Sequence, residues 1–290
     1  MDVHLAGRTA RSLELLHSLA YFAPEVEQEL AGSGLESGRM TYFAGRSAPM
    51  GAVSSGVVTA VFYNFNPALI ADVLPRAWKL AEPEAIVQAR YRGVDAAYRA
   101  LLGDKVIASA AMSEAAQLAA IAAQAVPGVD GRPLYAGYAA LEWPEQPHLV
   151  LWHALTLLRE YRGDGHVAAL QTAGLSGLEA LITHTAAGIG FRKSFAQSRR
   201  GWSGDEWAAA VAGLVDRELL TPAAELTADG RELREVVEDL TDELAAAPWT
   251  GLGEDGAARL AELATPWCRS VRESGLFPEA LFGPRYGESR

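Results

Sequence analysis

Cysteine is nearly missing from this chain of 290 residues. The single Cys268 excludes an internal disulfide and any metal knuckle built from cysteines. No apolar run approaches the roughly 18 residues of a membrane-spanning helix. The most apolar stretch, 149–158, is short and contains His153 and Thr156. The first residues, MDVHLAGRTARSLELL, lack the apolar segment of a signal peptide, so a cytoplasmic protein without membrane attachment is expected. Catalytic and cofactor motifs are missing too. There is no GxSxG elbow, no HExxH, no CxxC and no GxGxxG following a strand. His148 and His153 are five apart, which takes them off the i, i+4 face that a metal needs. No cofactor and no metal are therefore expected.

Positive charge is scarce, with 25 basic against 36 acidic side chains and a formal net charge of −11. Its distribution says more than its total. The segment 203–262 holds 4 basic and 15 acidic groups, whereas 185–202 holds Arg192, Lys193, Arg199 and Arg200 and no acid. A nucleic-acid binder needs a basic face to neutralise phosphates. This chain offers one basic island beside an acidic field.

Apolar residues recur at helical spacing through most of the chain, so it reads as mainly α. Ser176-Gly-Leu-Glu179 and Ser203-Gly-Asp-Glu206 match the capping box, in which hydroxyl and carboxylate satisfy the exposed amides of a helix start reciprocally. Pro24, Pro67 and Pro83 sit where a first helical turn tolerates a missing N–H. Only one place reads as β: Leu219-Leu220-Thr221-Pro222 and Ala224-Glu225-Leu226-Thr227, two short runs between helices. Helix, short hairpin, helix predicts a modified winged helix with a short β-wing in the C-terminal half. Proline and glycine punctuate 127–147, which places a division into 1–143 and 144–290. The segments 8–35 and 147–175 echo each other at an offset of 140 residues, as a degenerate internal duplication would. The tail, 278–290, is expected to be loosely ordered.

Several strings resemble a known family: HLVLWHALTLLREYRGDGHVAALQTAGLSGLEALITHTAAG (148–188), YFAGRSAPMG (42–51), FYNFNP (62–67), RGWSGDEW (200–207) and LTADGREL (226–233). Together, over about 10 to 280, they resemble a family of mostly actinobacterial helix-turn-helix or winged-helix proteins with remote likeness to MarR-type regulators. The resemblance implies a fold more than an activity.

If the helix before the wing entered the major groove, it would present Asp205, Glu206, Asp216 and Glu218 against Arg217 alone. Such a surface is repelled by phosphate. DNA binding would then fall to the 192–200 island, and it is the second reading.

The leading expectation comes from the helix 148–161, apolar nearly all round and hence buried. Its polar groups, His153, Thr156, Arg159 and Glu160, need partners, because an unpaired buried amide or hydroxyl costs roughly 2–7 kcal/mol. Arg162, Asp164 and His166 follow in what reads as a tight turn, with Asp164 capping a new helix from Gly165. Arg46, in a segment of small residues that reads as a loop, adds a guanidinium suited to an anion. The expected protein binds or senses a partly apolar, anionic small molecule in a pocket between its halves. Tyr63, Phe65, Trp78 and Trp152 would line that pocket, and Arg46, His153, Arg159, Arg162 and His166 would supply its polar contacts. A third reading is an enzyme with His153 or His166 as general acid–base. A homodimer fits any of these.

Overall fold

A computed structural model describes residues 2–285, and every structural statement below concerns them. Their regular structure is helical throughout, with seventeen α-helices and three short 3-10 helices. Pro24, Pro67 and Pro83 each open a helix, and both serine capping boxes form. No helix is long and apolar enough to cross a membrane.

One helix organises the rest. Pro147–Thr172 runs 26 residues and buries sixteen of them, because apolar side chains occupy most of its circumference. It packs along Ala110–Gln124 on one side and Ala228–Ala245 on another. The helix is continuous through Arg162–His166, so the turn expected there is absent. Asp164 caps a helix, but a different one. Its Oδ2 accepts the Tyr135 N–H at 2.9 Å, in the first turn of Pro133–Ala139.

Continuity also disposes of the internal duplication. The supposed N-terminal counterpart of this long helix is broken into Val3–Ser12, Glu14–Ser18, a 3-10 turn and Pro24–Gly32. The cores likewise do not divide at 143. The larger draws on residues 6–161 and again on 249–271, since the last long helix, Glu254–Glu273, returns to pack on Ala110–Gln124. The smaller core, from 169 to 237, gathers the end of the central helix, Gly177–Ala186, Gly204–Asp216 and part of Ala228–Ala245.

No β-wing forms among the described residues; a single antiparallel bridge, Leu220 with Leu226, stands in its place. Three features prevent more. Pro222 lacks a ladder N–H. Glu218 and Ala224 take positive φ, at 57° and 60°, which breaks the extended backbone. Thr227 already caps the next helix through the Gly230 N–H. What precedes this loop is a helix–turn–helix pair, Lys193–Arg200 and Gly204–Asp216. Gly201 joins them in the left-handed region (φ 75°, ψ 23°), where a Cβ would be strained. The Trp202 N–H reaches back to the Gln197 carbonyl and closes the first helix in a Schellman turn.

The tail is better ordered than expected. Phe282 bridges Phe191, and the Gly283 N–H donates to the Gly190 carbonyl at 2.7 Å. Residues 286–290 of that tail lie outside the described residues.

A candidate ligand cavity beside the helix-turn-helix unit

Two of the quoted strings meet in space. The backbone of 62–67 is clamped onto the turn of the helix–turn–helix pair by three contacts. Asn66 N–H donates to the Arg200 carbonyl at 2.9 Å, Trp202 Nε1–H donates to the Asn64 carbonyl at 3.0 Å, and the Asn66 amide donates to Glu206 at 3.1 Å. Tyr63 adds a hydrogen bond from its hydroxyl to the Leu175 carbonyl at 2.6 Å. Its φ of 54° and the tight Asn64 N–H to Phe62 C=O bond make a γ-turn, a strained conformation for a tyrosine. Gly177 packs against the same turn so closely that a Cβ would lie 1.9 Å from the Tyr63 carbonyl oxygen.

Beside this docking a half-open cavity of about 590 Å³ lies between the larger core and the helix-turn-helix unit. Such a volume falls in the range that holds small organic ligands. Tyr42, Phe62, Phe65, Phe191 and Phe195 give it aromatic walls. Among the residues expected from sequence, Arg46, Tyr63, Phe65, Arg159 and His166 line it. Arg162 lies instead on a smaller adjoining cavity, where its guanidinium is taken by Asp242 (2.5 Å) and Glu238 (3.4 Å).

Trp78, Trp152 and His153 line neither cavity. Trp78 and Trp152 satisfy their indole N–H elsewhere in the core, whereas His153 pairs one ring nitrogen and leaves the buried Nε2 without a partner. Trp78 donates to the Val53 carbonyl and Trp152 to the His17 carbonyl. The His153 Nδ1 lies 2.6 Å from the Tyr91 hydroxyl, with the ring edge-on to Trp143. Burial drops the His153 pKa to about 4 and that of His166 to about 3, so both are neutral near pH 7. His166 is held by the Thr241 hydroxyl at 2.8 Å.

The polar floor is built around Glu160. Arg46 sits in the helix Arg39–Ser47, not in a loop, and grips Glu160 with two bonds, Nη2 to Oε2 at 2.8 Å and Nε to Oε1 at 3.2 Å. Its guanidinium also lies 4.4 Å from the Phe62 ring centre. Burial alone would raise the Glu160 pKa, but Arg46 and Arg159 outweigh it and hold the carboxyl at about 2. Arg159 divides itself between Glu14 and Glu160. Arg46 is therefore already neutralised, which accounts for its conformation without any ligand.

Arg200 is the exception. It follows Ala196 by four residues and shares that buried residue's inward face, while Arg192, Lys193 and Arg199 are exposed. Its guanidinium stacks 4.1 Å from the Phe65 ring centre, and its Nε is buried with no hydrogen-bond partner. No salt bridge to it forms among the described residues. Burial lowers its pKa, and the cations Arg46, Arg199 and Arg159 add to that effect. Opposite, the Tyr42 phenol is held below the ordinary value; burial works against ionisation, but Arg46 and Arg200 outweigh it.

Arg200 was legible in sequence only as part of the basic island. The i, i+4 spacing from Ala196 was the signal that separates it from its exposed neighbours. Tyr42 and Phe62 also line the cavity, and both fall within strings that resemble the family without standing out there as polar or unpaired groups.

The exposed face of the second helix of the pair carries Asp205, Glu206, Ala208, Ala209, Ala212 and Asp216. Small and acidic side chains such as these donate no hydrogen bond to a base edge. The first helix, by contrast, carries no acid at all.

A helical pair closed by a left-handed glycine, packed on a preceding helix and followed by a short bridged loop, defines a helix-turn-helix protein. Residues 6–278 match a helix-turn-helix family, and the chain belongs to it. Likeness to MarR-type regulators and an actinobacterial origin stay at the level of resemblance. No curated protein and no solved structure shows a significant match.

Proposed function

We propose that the chain is a helix-turn-helix transcriptional regulator that meets duplex DNA through the phosphate-facing side of Lys193–Arg200. The observation that carries this reading is the exposed Arg192, Lys193 and Arg199, at the cap and along the length of an acid-free first helix, within a chain whose family is helix-turn-helix. In such units the first helix crosses the DNA backbone while the second enters the groove. With an acidic and alanine-rich second helix, phosphate contact dominates and base reading is weak. Arg200, which the basic island alone would include, faces the cavity and takes no part.

Fluorescence anisotropy with a labelled 30-base-pair duplex of mixed sequence tests this. Three phosphate contacts give a slope of about −2.7 in log affinity against log salt, so binding weakens about 40-fold between 50 and 200 mM. Neutralising Arg192, Lys193 and Arg199 together abolishes it. Absence of salt-dependent binding at 50 mM refutes the reading.

The cavity favours a second reading, a small-molecule-binding or sensing protein. Its wall mixes aromatic rings with a guanidinium that no acid among the described residues neutralises. The two readings are compatible, because Arg200 ends the helix whose outer face carries the phosphate-binding cations. The catalytic reading finds less support. His153 has no access to the cavity, and His166 is too weak a base to exchange protons near neutrality.

A further inference from the structure

Five guanidiniums reach the wall of the 590 Å³ cavity: Arg39, Arg46, Arg159, Arg199 and Arg200. Its carboxylates are Glu14, Glu160 and Asp164. Glu160 and Glu14 are consumed by Arg46 and Arg159. Asp164 is turned toward the Tyr135 amide, and its pKa is raised to about 6 by burial and then by Glu160. Positive charge is thus left over on this wall, in a chain with a net charge of −11. A desolvated cation without a counter-ion is unfavourable, and one that persists next to a cavity suits an anion that the described residues do not supply.

Arg200 is placed for that role. Its guanidinium lies over the Phe65 ring, and its buried Nε has no hydrogen-bond partner among the described residues, so the group keeps donors for a carboxylate's two oxygens. Aromatic side chains flank it: Phe191 lies 6.0 Å away, and Phe191 in turn stacks on Phe282 at 5.1 Å. Tyr42, close enough to feel the charge of both Arg46 and Arg200, adds a hydroxyl.

We infer that the cavity is a binding site for an organic carboxylate with an aromatic body, the carboxylate seated on Arg200 and the ring lying among Phe62, Phe65 and Phe191. The inference deepens the ligand-binding reading and does not depend on the DNA contact.

Isothermal titration of the full-length protein with 1-naphthoate and with its neutral counterpart 1-naphthamide tests it. The carboxylate binds at least ten-fold tighter than the amide. In Arg200→Met, which keeps the side-chain length and removes the charge, the two probes bind within two-fold of each other. Arg200→Lys retains a reduced carboxylate preference. Equal affinity of the two probes for the unmodified protein overturns the anion site while leaving the cavity a ligand site. A carboxylate preference that persists unchanged in Arg200→Met overturns the assignment to Arg200. Binding of neither probe overturns the ligand-binding reading together with this inference. The comparison of probes on the unmodified protein stands even where a variant folds poorly.

Discussion

Replacing Glu160 by glutamine removes the carboxylate that holds Arg46 inside the protein. Both partners are largely shielded, with Glu160 fully buried and the Arg46 side chain 12% exposed. A carboxyl whose pKa is about 2 in the folded chain and 4.5 in its ordinary state contributes about 3 kcal/mol, at roughly 1.36 kcal/mol per unit. The folded value lies below the unfolded one. The contribution is therefore complete above about pH 4.5 and is lost as pH falls toward 2. Removing one partner of a buried pair independently costs about 3–5 kcal/mol. For a chain of this length the unfolding entropy is of order 0.6 kcal/mol per degree, so 3 kcal/mol lowers Tm by about 5 °C. Urea titration followed by circular dichroism at pH 7 reads the same loss as a lower midpoint. The double variant Arg46→Met with Glu160→Met recovers most of it, because neither charge is then stranded. An E160Q protein within about 1 kcal/mol of the unmodified chain refutes the reasoning. So does a double variant as unstable as the sum of its single changes.

Two further perturbations probe the frame around the site. Asp164 has its pKa raised to about 6 from 3.8, so the folded chain takes up a proton between those values that the unfolded chain does not. Stability should rise as pH falls from about 6 to 4, by up to about 3 kcal/mol. Asp164→Asn lacks that gain, which urea midpoints of the two proteins at pH 7 and pH 4.5 reveal; parallel pH curves would refute it. Gly177→Ala forces a Cβ onto the Tyr63 carbonyl, a backbone atom that cannot swing aside. It should cost about 2 kcal/mol and lower Tm by about 3 °C, and an unchanged Tm would mean that the 62–67 clamp is looser than its geometry.

Local signals carried a large part of the fold. Prolines at helix starts, the Ser176 and Ser203 capping boxes and the apolar circumference of the central helix are all legible because each needs only neighbours within a turn or two. The same locality explains the failures. Two short apolar runs around Pro222 read as a hairpin, yet positive φ at Glu218 and Ala224 leaves room for one bridge. Asp164 beside a glycine reads as a cap, and it is one, but for an amide 29 positions earlier in the chain.

The candidate site was legible in its residue types and not in its pairing. By itself the sequence determined that the chain is helical, that its central helix is buried, that cations cluster at 192–200, and that several of its strings resemble a helix-turn-helix family. Tertiary structure decided which cations are already neutralised. Arg46 meets Glu160 across 114 positions, Arg162 meets Asp242 across 80, and Arg200 meets aromatic rings and no acid among the described residues. Charge on a side chain is a local property, written in the residue. Whether that charge has a counter-ion depends on which distant helix packs against it, and only the folded chain brings those helices together.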